Sequence, residues 1–198
     1  ESHAVVAVPK KSAAEFEKFV KNYEKMYRNE FSETEPALSF KCKETVLPEK
    51  VMSKDDQFGI IRAVFACPNG VQRMSQAMKG LVETSNNVAI VKCRNGKFEA
   101  YNLTRSSVDS SKESTAWKIA AVFHLIDAKV TLSGSYPGWK PNMESPILKT
   151  MSGVYETLYN RIPDIKAIHA GLECGLLGGV YPKLDMISFG PTIRYPHS

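Results

Sequence analysis

The stretch VAIVKCRNGKFEAYNLT constrains the fold of this chain more than any other. Two runs rich in β-branched and aromatic residues flank Asn95-Gly96. A two-residue Asn-Gly loop supplies the left-handed backbone that a tight antiparallel hairpin requires. The reading is therefore a hairpin that turns at 95–96. Beyond it Ser110 and Glu113 stand three residues apart, the spacing of a capping box in which each side chain satisfies a free N–H at a helix start. They open the predicted helix SKESTAWKIAAVFHLID, and AKVTLSG follows as a strand.

The same order of elements is predicted nearer the start. HAVVAVP is a short apolar run stopped by proline, which suits a strand. In SAAEFEKFVKNYEKMYRNE, Ala13, Phe16, Val20, Tyr23 and Tyr27 recur at helical spacing on one face, behind a second capping box of Ser12 and Glu15. ALSFKCKETV then alternates Leu38, Phe40 and Cys42 with more polar neighbours, again as a strand. Strand, capped helix and strand thus occur at residues 3–46 and 98–133, with the helix DDQFGIIRAVFA between. The expected class is α+β: an antiparallel sheet with helices on one face, built from repeated strand-helix-strand units.

SYPGWKPNMESP breaks both periodicities with three prolines and a glycine, and a domain boundary is placed there. Ser145-Pro146 reads as a helix start with proline at the first position, turning Leu148, Met151, Tyr155 and Leu158 inward. IKAIHAGLECGLLGG reads as strand, turn and short helix. LDMISFG reads as an apolar strand of the kind buried on both faces of a parallel sheet. This last part is an incomplete α/β segment.

Charge and composition exclude several classes. The formal charge of +5 is scattered, whereas a nucleic-acid reader concentrates its basic residues on one face. No apolar run approaches the ~20 residues of a membrane span. ESHAVVAVPKK has no basic n-region with a long apolar h-region. The first residue is glutamate, and the ending SFGPTIRYPHS stops soon after a turn; both ends are expected to be cuts. Cys42, Cys67, Cys93 and Cys174 form no CxxC pair, which points to reduced thiols and a cytoplasmic location. HExxH, GxSxG and Walker motifs are missing.

Chemistry-bearing residues fall in three places. His197 follows an apolar strand and a Gly-Pro turn, and reads either as an exposed penultimate histidine or as a metal ligand. In HAGLECG, His169, Gly171 and Glu173 sit at a strand-to-helix turn where a backbone can approach a ligand closely. There Glu173 could equally cap the helix and His169 could sit in the core. In LTRSSVDSS, Arg105 matches a substrate carboxylate in two-pronged geometry, or pairs with Asp109 on the surface.

Taken together, PNGVQRMS, GLVETSNNV, RSSVDS, YPGWKP, AIHAGLECGL and DMISFGPTIRYPHS resemble the bacterial aminoacyl-histidine dipeptidases. These are Xaa-His dipeptidases (peptidase D) of the di-zinc superfamily that includes carboxypeptidase G2 and peptidase T. The motifs run in order from about residue 66 onward, while the first 60 residues match only in outline.

The resemblance implies a catalytic α/β domain made of two separated parts of the chain, with a lid or dimerisation domain inserted between them. Residues 1–140 would be the lid without its N-terminal part, and 141–198 a partial C-terminal portion of the zinc peptidase catalytic domain. It implies two zinc ions in the parent enzyme, with His197 as one ligand, and a zinc-bridging hydroxide attacking the peptide of an Xaa-His substrate. The remaining ligands and the general base would lie upstream. Arg105 would hold the substrate carboxylate, and Glu173, Gly171 and His169 would contact the substrate. The parent would be a homodimer through the lid, and this chain by itself would be inactive. The alternative is a non-catalytic dimerisation or binding module.

Overall fold

The computed structural model describes residues 2–140, 142–167 and 172–190, with Leu172 described in its backbone only. The chain divides into two compact units, Glu1–Ser53 and Lys54–Ser198.

In the first unit a 3-10 turn at Lys10–Ser12 leads into helix α1, Ala13–Glu30. Aromatic residues four apart stack along one face of α1, as neighbours at that spacing must. The Phe19 and Tyr23 rings are 4.6 Å apart, and Tyr23–Tyr27 and Tyr27–Phe31 follow at 6.1 Å each. Phe40 adds its ring 5.7 Å from Tyr27, and its N–H donates to the Glu24 carboxylate at 3.3 Å.

Two expectations fail here. HAVVAVP and ALSFKCKETV form no strands. No strand among the described residues of this unit is available to pair with them, and Val5 and Val6 remain 69% and 50% exposed. The strand-helix-strand unit therefore does not occur at residues 3–46. Ser12 makes no side-chain cap, and its N–H, which Glu15 would accept in a capping box, is bonded instead to the Pro9 carbonyl at 2.8 Å.

The second unit holds helix α2 (Lys54–Ala66), strands β1 (Gly70–Met74), β2 (Val82–Arg94) and β3 (Lys97–Ser106), and helices α3 (Asp109–His124), α4 (Pro146–Tyr159) and α5 (Leu172–Val180). The three strands form an antiparallel sheet in the order β1-β2-β3. The predicted hairpin is present: Arg94 pairs with Lys97, and Asn95 and Gly96 take φ of 53° and 72°.

Phe98 and Ala100, two apart and so on one face of β3, meet a core of Ala63 and Cys67 at the end of α2 and Ile119 and Phe123 on α3. The Phe98 and Phe123 rings lie 6.0 Å apart. On the opposite face Tyr101 and Leu103 are half exposed. The mixed α and β class and the antiparallel sheet agree with the sequence reading.

Other details differ. Residues 128–134 are not a strand; Ala128 and Val130 pack against the core as irregular chain. Helix α3 starts at Asp109, so Ser110 and Glu113 lie inside it and form no box. The Val108 N–H instead donates to the Ser106 hydroxyl at 3.0 Å. Helix α4 begins as predicted, with Ser145 Oγ accepting from Leu148 N at 3.2 Å and Pro146 at the first position. Leu148, Met151 and Tyr155 are half-buried, but Leu158 is exposed. Residues 184–190 form no strand either: Asp185, Met186 and Ile187 are half-buried and Phe189 is exposed. The Asp185 carboxylate accepts from Ile147 N at 2.9 Å, which ties this segment to the start of α4.

Candidate functional site

Where the sheet meets the start of α3, its inner positions turn polar. Thr84 Oγ1 and Ser106 Oγ lie 2.8 Å apart, both buried. Asn86 donates to the Pro68 carbonyl at 2.6 Å and to Asn102 Oδ1 at 3.0 Å, and accepts from the Thr104 hydroxyl at 2.9 Å. On β1, Arg73 Nε sits 3.3 Å from Glu83 Oε1. Ser111 on α3 joins them, accepting from Arg73 at 3.1 Å and donating to Glu83 at 3.2 Å.

A buried carboxylate is tolerated only when it is paired and hydrogen-bonded, and Glu83 meets both conditions. Among the described residues no buried side-chain nitrogen or oxygen lacks a partner. The network is closed, so it positions its neighbours and leaves no buried polar group for a ligand.

Arg105 stands exposed on β3 within this region, opposite Ser85. Strand alternation places it on the face away from Thr104 and Ser106. The surface pair with Asp109 is not the one formed. Asp109 accepts instead from Lys112 Nζ at 2.7 Å and from Gly138 N at 3.0 Å. The hydrogen bond from Lys112, followed by that from Gly138, holds its carboxyl below the usual range. Arg105 is left as an accessible guanidinium at a strand end, a group suited to a carboxylate.

Three of the motif segments come together here. Gly138 of YPGWKP lies so close to the RSSVDS turn that a Cβ on it would stand 2.7 Å from the Ser107 carbonyl carbon and oxygen. On the other side, a Cβ on Gly175 of α5 would stand 2.5 Å from the Pro137 carbonyl oxygen, and one on Gly179 3.1 Å from Pro137 Cγ. Residues 137–138 are thus held between the 106–107 turn and α5. Glu173 is exposed in the first turn of α5. His169, Gly171 and His197 lie outside the described residues.

Sequence reasoning passed over Glu83, Asn86 and Lys112. The available signal was ETSNN in β2, a polar run too long for a strand that faces a core on one side. PNGVQRMS, one of the segments that carry the resemblance, contains β1 and the network residue Arg73. Among the described residues no three His, Cys, Asp or Glu side chains are placed to share a metal ion. No helix among them is long and apolar enough to cross a membrane.

No protein-family model matches the sequence. The chain is 37% identical over all of its 198 residues to the cytosol non-specific dipeptidase of Escherichia coli (strain K12), of which it spans 41%. The crystal structure of aminoacylhistidine dipeptidase from Vibrio alginolyticus matches 96% of this chain with a TM-score of 0.88 at 38% identity, and the match spans 39% of that protein. The chain therefore covers well under half the length of these relatives. The resemblance to the aminoacyl-histidine dipeptidases, carried at first by short motifs, extends over 96% of this chain in the structural match and over 39% of that enzyme.

Proposed function

We propose that this chain is a portion of a dipeptidase that hydrolyses Xaa-His, carnosine-like dipeptides. The observation that supports this is similarity along all 198 residues to one dipeptidase, together with a TM-score of 0.88 to a second. On this reading residues 1–140 are most of a lid and 141–198 part of the catalytic domain. The whole enzyme is a cytoplasmic homodimer joined through the lid. Zinc, when bound in the parent, activates the attacking water and polarises the scissile carbonyl.

The described residues offer no site that fits such an ion, and His197 lies outside them. Their contribution is binding and orientation. Arg105 clamps the substrate carboxylate, while the closed network behind it keeps β3 rigid. Glu173, in the first turn of α5, contacts the substrate; Gly171 and His169, which lie outside the described residues, are assigned to the same contact by the resemblance alone.

The test is to assay the full-length enzyme and this 198-residue chain separately on an Xaa-His dipeptide with zinc. Hydrolysis by the former alone supports the reading. Hydrolysis by the chain alone overturns its status as an inactive portion, and failure of both overturns the function. Arg105→Ala should raise KM or lower kcat in the full enzyme, and His197→Ala should lower its zinc content.

A second reading, a non-catalytic dimerisation or binding module, draws on the half-exposed Tyr101 and Leu103 on the outer face of β3. It predicts a dimer of this chain by sedimentation and no hydrolysis from the full-length protein.

A further inference from the structure

We infer that Asp109 and Lys112 form a clasp that fixes the 136–138 segment between the 106–107 turn and α5, and that through this clasp they position Arg105 relative to α5. The positioning role rests on the assignment of Arg105 to substrate binding proposed above; the clasp itself does not.

The contact is made of backbone on both sides. A side chain at 138 would collide with Ser107, and one at 175 with the Pro137 carbonyl. Glycine at both positions lets three stretches of main chain approach with nothing between them. Such an approach gains little from apolar burial, so polar contacts must hold it.

Asp109 and Lys112 supply those contacts. Asp109 Oδ1 accepts the Gly138 N–H at 3.0 Å, and Lys112 Nζ donates to the Tyr136 carbonyl while pairing with Asp109 at 2.7 Å. One turn of α3 therefore binds both a donor and an acceptor of the 136–138 main chain. The Lys112 side chain is only 15% exposed although Asp109 is 53% exposed, so the lysine, unlike Lys149 at 63% in its pair with Glu144, is held out of solvent.

The turn side of the clasp is itself anchored. Ser107 N donates to the Glu83 carbonyl at 3.1 Å, and Ser106 is tied to Thr84. Arg105 immediately precedes these two residues, so a shift of the turn moves its backbone. A displacement of about 1 Å at a binding group is enough to cost a large factor in turnover. Asp109 and Lys112 touch no substrate on this account; they are positioning residues.

Asp109→Ala, Asp109→Asn and Lys112→Met test the clasp in two settings. In the 198-residue chain, hydrogen exchange at the Gly138 amide reads the clasp without any activity. Asp109→Ala should speed that exchange about tenfold or more, because opening becomes easier once the acceptor is gone. Asp109→Asn keeps an oxygen acceptor and should restore most of the protection.

In the full-length enzyme, Asp109→Ala and Lys112→Met should raise KM for an Xaa-His dipeptide about tenfold with kcat much less affected, and Asp109→Asn should recover most of the loss. Unchanged exchange at Gly138 overturns the clasp. Faster exchange with unchanged KM, where Arg105→Ala does raise KM, overturns the positioning role alone. No effect of Arg105→Ala removes Arg105 from the substrate site and the positioning role with it, while the exchange result still decides the clasp.

Discussion

Asn86 Nδ2 donates to Asn102 Oδ1 at 3.0 Å across the β2–β3 pair, deep enough that Asn86 is only 2% exposed. This amide also bonds the Pro68 carbonyl that follows α2 and the Thr104 hydroxyl on β3. One side chain thereby joins the end of α2 to both long strands. Val88 N adds a parallel link by donating to Asn69 Oδ1 at 2.9 Å.

Removing that amide should be costly. Asn86→Ala takes from the Pro68 carbonyl and the Thr104 hydroxyl their bonds to this amide, while Asn102 Oδ1 keeps the Cys67 thiol at 3.5 Å, and about 1–3 kcal/mol is lost for each buried group left unsatisfied. For the two groups a loss of about 2–6 kcal/mol is expected. Urea unfolding monitored by circular dichroism would measure it, and a loss under about 0.5 kcal/mol would place the network outside the core of stability.

Two glycines make a matched pair. Gly138→Ala should destabilise strongly, since its Cβ would meet the Ser107 backbone at 2.7 Å. Gly153 lies inside α4 with nothing within 4 Å of its Cβ. Gly153→Ala should stabilise by about 0.5–1 kcal/mol through reduced unfolded-state freedom and better helix propensity. Melting temperatures of the two variants should therefore move in opposite directions.

The hairpin turn offers a third check. Gly96 has φ of 72° with open space around its Cβ, so Gly96→Ala tests backbone conformation without a clash. It should cost about 1–2 kcal/mol, the penalty of a left-handed L-residue, read as a lower urea midpoint at unchanged slope.

Asp185 predicts a pH effect. The Ile147 N–H, then the Ser145 hydroxyl, hold its carboxyl below the usual range. A depressed carboxyl contributes stability above its unfolded pKa and loses it as the pH falls through the folded value. Asp185→Asn should therefore lie below the wild type in melting temperature near neutral pH, with the gap closing as acid protonates Asp185. Thermal melts from neutral to acid pH would check this, and a gap that stays constant would exclude the ionised form as the source.

Which parts were legible follows from the range of the forces involved. Asn95-Gly96 announces its turn because the required backbone is local to those two residues. Ser145-Pro146 announces a helix start for the same reason, and the aromatic spacing of α1 is visible because side chains four apart on a helix must be neighbours. The runs at 3–9, 37–46, 128–134 and 184–190 were misread as strands. An apolar alternation says only that a strand would be compatible; whether a partner strand lies alongside is a tertiary matter. Ser110 and Glu113 have the right spacing for a capping box, but the preceding turn binds Val108 to Ser106 and starts α3 one residue earlier than Ser110.

By itself the sequence determined the hairpin, the α1, α2, α3 and α4 helices, and the motifs that tie this chain to a dipeptidase family, since each depends on residues near one another in the chain. Only the tertiary structure decided that Asp109 would bind Lys112 and Gly138 and leave Arg105 exposed. It also decided that glycines 138 and 175, 37 positions apart, would hold the 137–138 backbone against a turn on one side and a helix on the other. Hydrogen bonds and steric contacts act over a few ångströms, so the partner of any side chain is whichever group the packed chain brings within reach.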